Sequence, residues 1–227
     1  MENSAPNASM NPFNADNFNS EKLNSVDRLE AFSDGVFGVA ITLLVLNIRV
    51  PLAQDIQSST PSTLANALLQ QWPIYLSYVL SFFTIGIVWA NHHRTFTYIS
   101  HADHTLRMLN LFLLMTVTLI PFTTQLLSTY IQPPSSTANV INDGQTTAAF
   151  VYALGWVLLS IAYNLLWRYA IAKKLVHEQL TATALRNISR RVLLGLVLYL
   201  VAAIGAFFNA FVGVALCFAL AVFYLVF

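Results

Sequence analysis

Residues 28–50 read Arg28-Leu-Glu-Ala-Phe-Ser-Asp-Gly-Val-Phe-Gly-Val-Ala-Ile-Thr-Leu-Leu-Val-Leu-Asn-Ile-Arg-Val50. The stretch from Arg28 to Val50 is mostly apolar and of membrane-crossing length, with Arg28, Glu30 and Asp34 at its opening, and Pro51 stops it. The hydrocarbon core of a bilayer, about 30 Å thick, is crossed by about 20 apolar residues of helix. An ionisable residue inside such a helix is costly and faces protein or water rather than lipid.

The same kind of run recurs along the chain. Spans are expected from about Leu64 to Asn91, from Leu106 to Tyr130 and from Ala148 to Ala170, with two more squeezed into 191–227 around a turn at Asn209, or one span plus a re-entrant segment there. Residues 131–147, with Pro133-Pro134 and Asn142-Asp143-Gly144, read as a loop. Composition agrees: 56% of the 227 residues are hydrophobic and 9% charged, with mean hydropathy +0.61. A water-facing domain carries about a quarter charged residues. The expected architecture is an all-α membrane protein, with a disordered polar tail over 1–24 and a six-helix transmembrane domain over 25–227.

Charge distribution gives orientation. Lys22, Arg28, Arg94, Arg107, Arg168, Lys173, Lys174, Arg186, Arg190 and Arg191 fall on one side of this topology, and Arg49 alone on the other. The positive-inside rule then puts both termini in the cytoplasm. The basic 168–191 stretch reads as extensions of spans four and five, with a lipid-headgroup site as the sharper alternative. A net charge of +1 gives no field to attract nucleic acid. Cys217 is the single cysteine and sits in an apolar run.

Within the first span, Arg28 and Asp34 are roughly 240° apart around a helix and do not share a face. Val39, Leu43 and Leu46 follow i, i+4, i+7 spacing and form one apolar stripe, with Thr42 beside it. Gly35 and Gly38 offer an edge smooth enough for close helix packing. From spacing alone the stripe reads as bundle or lipid contact, and periodicity does not make it a pore.

Arg28-x-x-x-Phe32-Ser33-Asp34 followed by Ala40-Ile-Thr-Leu-Leu-Val-Leu46 resembles the signature of the transmembrane protein 175 family of potassium channels. Trp89-x-x-His92-x-Arg94-x-Phe96 closes span two, and Asp103-x-Thr105-Leu106, Leu109-Asn110 and Pro121-Phe122-Thr123 fill span three, in agreement. The resemblance implies a homotetramer around a central pore lined by the first helix. It implies apolar constriction rings at Val39, Leu43 and Leu46, with Thr42 as a polar lining residue. Val39 departs from the Ile common at the first ring, and Asn47 stands where relatives often carry an acid. Arg28, Phe32, Ser33 and Asp34 would be structural, with Trp89, His92 and Asn110 as partners. The implied partners are potassium and other monovalent cations, membrane lipids and three further copies of the chain. The implied location is a bacterial inner membrane.

Other chemistry is thinly represented. No Thr-Val-Gly-Tyr-Gly segment supplies a carbonyl filter. His92, His93, His101 and His104 invite a metal, but five histidines are fewer than a membrane di-iron centre needs. No nucleophile–base pairing and no phosphate-cradling Gly loop appears. The expectation is therefore no enzyme, no metal, and no cofactor beyond the permeant ion. A secondary cation or proton-coupled transporter is the alternative. Such carriers break helices at matching points of two halves; Pro73 and Pro121 interrupt spans two and three without counterparts in five and six.

Overall fold

The computed structural model describes residues 12–131 and 138–226, with side chains over 25–131 and 144–222. Apart from one isolated bridge between Ile99 and Val176, the regular structure among the described residues is helical. Helix α1 spans Pro12–Leu43 and tightens into a 3₁₀ turn over Leu44–Asn47. Two short helices follow, α2 over Ala53–Ser58 and α3 over Leu64–Gln70. The long helices are α4 (Trp72–Phe96), α5 (His104–Tyr130), α6 (Ala138–Ala172) and α7 (Ala182–Phe208), with the shorter α8 over Ala210–Val226. Helix α1 begins within the expected 1–24 tail, of which residues 1–11 lie outside the described residues.

Five helices have the length and hydropathy to cross a membrane: Ser25–Asn47, α4, α5, Gly144–Ala172 and α7. Helix α8 is apolar throughout, and its 17 residues reach about 25 Å. The turn expected at Asn209 is present. Its backbone is extended (φ −155°, ψ 121°), and its Oδ1 accepts from the Phe211 and Val212 N–H groups, capping α8.

Several boundaries differ from the sequence reading. Regular helix stops at Asn47, before Val50, because the last turn of span one is 3₁₀. Pro73 lies in the first turn of α4, where a missing N–H costs nothing, and so it starts that helix. Pro121 sits inside an unbroken α5. Asn142-Asp143-Gly144 lies within α6 rather than in a turn, and Pro133-Pro134 lies outside the described residues. Gly144 serves contact: a Cβ there would stand 3.0 Å from the Tyr130 ring, so its absence lets α6 approach the end of α5.

Helix α6 is the hub, packed on α5, α7 and α8, while α1 leans on α4 and α5. Of the apolar windows, 56% of the residues in α5 and in α6 are buried against 22% in α1, which makes α1 peripheral within one chain. The loops beyond α4 and α6 are tied together: Ser100 N–H donates to Leu175 O at 2.8 Å and His177 N–H to Tyr98 O at 3.0 Å. Asp103 caps α5 through the Leu106 N–H (2.7 Å) and accepts from the Tyr169 hydroxyl of α6 (2.6 Å).

Candidate functional site: the two faces of the first spanning helix

Helix α1 has a held face and a free face. Ser33, Phe37, Ala40, Leu44 and Asn47 are buried against the rest of the chain. Phe32, Val39, Leu43 and Leu46 point the other way and are 53%, 56%, 40% and 71% exposed. The 3₁₀ turn keeps both lines straight. At about 3.0 residues per turn, positions i and i+3 eclipse, so Leu46 lies in line with Leu43, and Asn47 with Leu44. An α-helical continuation would have set Leu46 about 60° from Leu43, on the other side of Val39. Thr42 is exposed beside it, and its hydroxyl donates to the Val39 carbonyl at 2.9 Å.

The held face carries a relay of hydrogen bonds. Asn110 Oδ1 can only accept, so His92 donates to it from Nε2 at 2.9 Å. Asn110 Nδ2 donates to Ser33 Oγ at 2.9 Å, and Ser33 donates to the Leu29 carbonyl at 2.8 Å. His92, Asn110 and Ser33 are all buried, and the His92 ring lies between Phe37 and Phe96, with centroids 5.3 and 4.3 Å away. Three helices are thereby joined in one line. Where no water competes, a buried polar group without a protein partner is costly; the relay satisfies His92 Nε2 and leaves Nδ1 buried without a hydrogen bond.

Of the seven residues expected to cooperate, five come together. Ser33, Asn110 and His92 form the relay, and Trp89 Nε1 donates to Asp34 Oδ1 at 2.8 Å on its edge. Arg28 and Phe32 stay apart from it: both are exposed, and Arg28 has no ion pair among the described residues. The rotation between Arg28 and Asp34 accounts for that separation.

Two contacts escaped the sequence reading. His93 Nδ1 lies 2.6 Å from Glu30 Oε1, one turn from the Trp89–Asp34 bond, and the Trp89 and His93 rings stack with centroids 6.1 Å apart. The signal was present as two i, i+4 pairs, Glu30/Asp34 and Trp89/His93, whose order reverses between facing antiparallel helices. Asn47 is buried and donates to the Pro121 carbonyl at 3.3 Å. It therefore fastens the end of span one to α5 rather than facing a mouth. Gly35 and Gly38 have nothing within 4 Å of a virtual Cβ, so the close packing expected of them does not occur within the chain. The remaining histidines disperse: His101 bonds Ser100 Oγ at 3.0 Å, and His104 is exposed at the start of α5. Among the described residues no three His, Cys, Asp or Glu side chains converge on a metal-sized site.

Comparison with known proteins fits this arrangement. The family model described as the endosomal/lysosomal potassium channel TMEM175 matches residues 28–121, the part that holds the relay and the stripe. A potassium channel of Chamaesiphon minutus is 38% identical over 198 residues, which is 87% of this chain and 92% of that one. A potassium channel of Streptomyces collinus is 43% identical over 145 residues, 64% of each chain. Among solved structures, the crystal structure of a lysosomal potassium-selective channel TMEM175 homolog from Chamaesiphon minutus superimposes with a TM-score of 0.77. It is 36% identical and covers 89% of this chain and 97% of that one.

Proposed function

Starting from the fact that this chain belongs to the TMEM175 family of ion channels, which are not enzymes, we propose that it is a potassium-permeable cation channel. Four copies would surround a pore lined by the free face of α1, with all six long or apolar helices crossing the membrane and both termini in the cytoplasm. A bacterial inner membrane is the proposed setting. The observation that carries this reading is the exposed stripe of Val39, Leu43 and Leu46 on a helix whose opposite face is bonded to α4 and α5.

A pore of this kind would work by dewetting. Rings of Val39, Leu43 and Leu46 offer an ion no ligand, so water leaves the narrow stretch unless the rings move apart. Thr42 would add the polar element. Its hydroxyl hydrogen is committed to the Val39 carbonyl, which leaves oxygen lone pairs to meet a partly dehydrated cation. The relay and the Trp89–Asp34 bond would set the rotation of α1, so that the stripe and not a polar edge faces the axis.

The test is potassium flux from liposomes holding the purified chain, beside sodium and an impermeant organic cation. Flux that does not saturate supports a channel. Absent flux, or flux that saturates at carrier turnover, overturns it in favour of a transporter. Leu43→Asn puts a hydrogen-bonding ring in the constriction and should change conductance or cation preference.

A further inference from the structure

A cavity of about 950 Å³ lies between α4, α6, α7 and α8, away from the stripe of α1. Its walls are mostly apolar, with Phe82, Phe83, Ile87 and Leu194 among them, and the exposure of Phe83 (49%) and Leu194 (44%) shows that it opens sideways. Its polar end carries two guanidinium groups, Arg94 of α4 and Arg191 of α7. No carboxylate lines the cavity, and among the described residues neither arginine makes a salt bridge. Two neutral groups beside them, Tyr163 and Thr95, are already occupied. The Tyr163 hydroxyl donates to the Asn91 carbonyl at 2.8 Å, and Thr95 shares a hydrogen bond with Tyr163.

Depth fits one class of occupant. Arg94 lies two residues before the end of α4, and Phe82 lies twelve residues deeper, about 18 Å along the axis. One leaflet of the hydrocarbon core is about 15 Å deep. The groove thus offers a cationic end at headgroup level and an apolar channel one leaflet deep. Guanidinium forks match phosphate oxygens bidentately, and basic pockets between spanning helices bind anionic headgroups.

We propose that this groove holds one anionic phospholipid per chain. Its phosphate lies between Arg94 and Arg191, and an acyl chain runs along Phe82, Phe83, Ile87 and Leu194. Occupancy ties α4 to α7 across the opening. The inference rests on the chain spanning a membrane and not on ion conduction, so its failure leaves the channel reading untouched.

The experiment is native mass spectrometry of the full chain. It is titrated with phosphatidylglycerol, with phosphatidylcholine of the same acyl chains, and with inorganic phosphate. Phosphatidylglycerol should be retained about thirtyfold more tightly than phosphatidylcholine. Arg94→Gln with Arg191→Gln should remove that preference, and Arg94→Lys with Arg191→Lys should keep most of it. Leu194→Trp fills the channel with both charges in place and should weaken both lipids about tenfold or more, so the proposal stays testable if the glutamine variant does not fold. Equal retention of the two lipids overturns the proposal, as does a preference that survives the glutamine changes. Displacement of the lipid by phosphate alone makes it a free-phosphate site. A disulfide between copies at Leu194→Cys, in a Cys217→Ser background, makes it a subunit interface instead.

Discussion

Helix α1 reaches its neighbours through side-chain hydrogen bonds, whereas α7 and α8 reach each other through small side chains. On α1 the contacts that fix rotation are Ser33 to Asn110, Asp34 to Trp89, Glu30 to His93 and Asn47 to the Pro121 carbonyl. Between α7 and α8 the contacts run through glycines: Gly213 lies against Ala206 at the closest approach, and Gly205 against Leu216 and Val212. Both answer the same problem. Lipid tails are as apolar as leucine, so no hydrophobic force gathers helices once they are inserted; hydrogen bonds and close backbone packing remain. Packing tolerates sliding along a smooth face, while a relay of directed bonds fixes one rotation and one height. If α1 lines a pore as proposed, a face that presents a stripe in register needs the second kind of fastening.

The largest expected effect lies on the packed side. A Cβ at Gly213 would stand 2.3 Å from the Ala206 Cβ and 2.5 Å from its Cα, so α8 cannot keep its place beside α7. Gly213→Leu should cost about 3 kcal/mol or more and lower the thermal midpoint of the detergent-purified chain accordingly. Gly86→Ala is the control: a Cβ there meets nothing within 4 Å, so helix propensity decides and the variant gains up to about 1 kcal/mol. Equal outcomes for the two glycines would mean that α7 and α8 are not packed this closely.

Next comes the relay. Asn110→Leu removes both of its bonds and strands the buried His92 Nε2, while Ser33 keeps its bond to the Leu29 carbonyl; the expected loss is about 1–3 kcal/mol. The useful contrast is with function. If rotation of α1 is what the relay controls, Asn110→Leu should disturb ion flux more than a packing variant of equal thermal midpoint. Flux that falls only in proportion to stability would erase the distinction drawn between the two fastenings.

How legible each part was follows from the same physics. Long apolar runs fixed by bilayer thickness identified the spans, and Asn209 as a turn followed from its place between two such runs. Asp34 stood out because an ionisable side chain inside such a helix needs a partner, whereas Ser33, Trp89, His92 and Asn110 were legible through the family motifs that contain them. What stayed hidden depends on geometry between distant segments. The 3₁₀ turn that aligns Leu46 with Leu43, the bond from Asn47 to the Pro121 carbonyl and the contact that explains Gly144 have no local periodicity to announce them. Arg28 was grouped with the relay through the same family motif, and it is exposed away from the relay, as its rotation from Asp34 around the helix requires.

A smaller effect tests the edge of the relay. Trp89→Phe deletes the donor to Asp34 while keeping an aromatic ring beside His93, and should cost about 0.6 kcal/mol, a usual value for one interhelical bond. Asp34→Asn keeps an acceptor for Trp89 and should cost less, with its main effect on the yield of assembled channel. If Asp34→Asn leaves assembly intact and changes the ratio of potassium to sodium flux, Asp34 belongs to the ion path and not to the anchor.

The smallest effect lies where the start of α5 meets the end of α6. Burial pushes the Asp103 carboxyl up, but the Tyr169 hydroxyl, the Leu106 N–H and the nearby Lys173 and His101 charges outweigh it and hold the group below its ordinary value. A depressed carboxylate contributes stability that is complete above its unfolded pKa, about 3.9, and is lost as pH falls through the lower folded value. Tyr169→Phe removes the 2.6 Å bond, so the Asp103 pKa should rise toward the ordinary range. The stability gap between the parent and this variant should be constant from about pH 6 to 8 and should shrink below about pH 4. Thermal midpoints across that range decide the matter. A gap that persists undiminished in acid would mean that Tyr169 works through packing on α5, and that the α5–α6 junction is fastened in the manner of α7 and α8 rather than of α1.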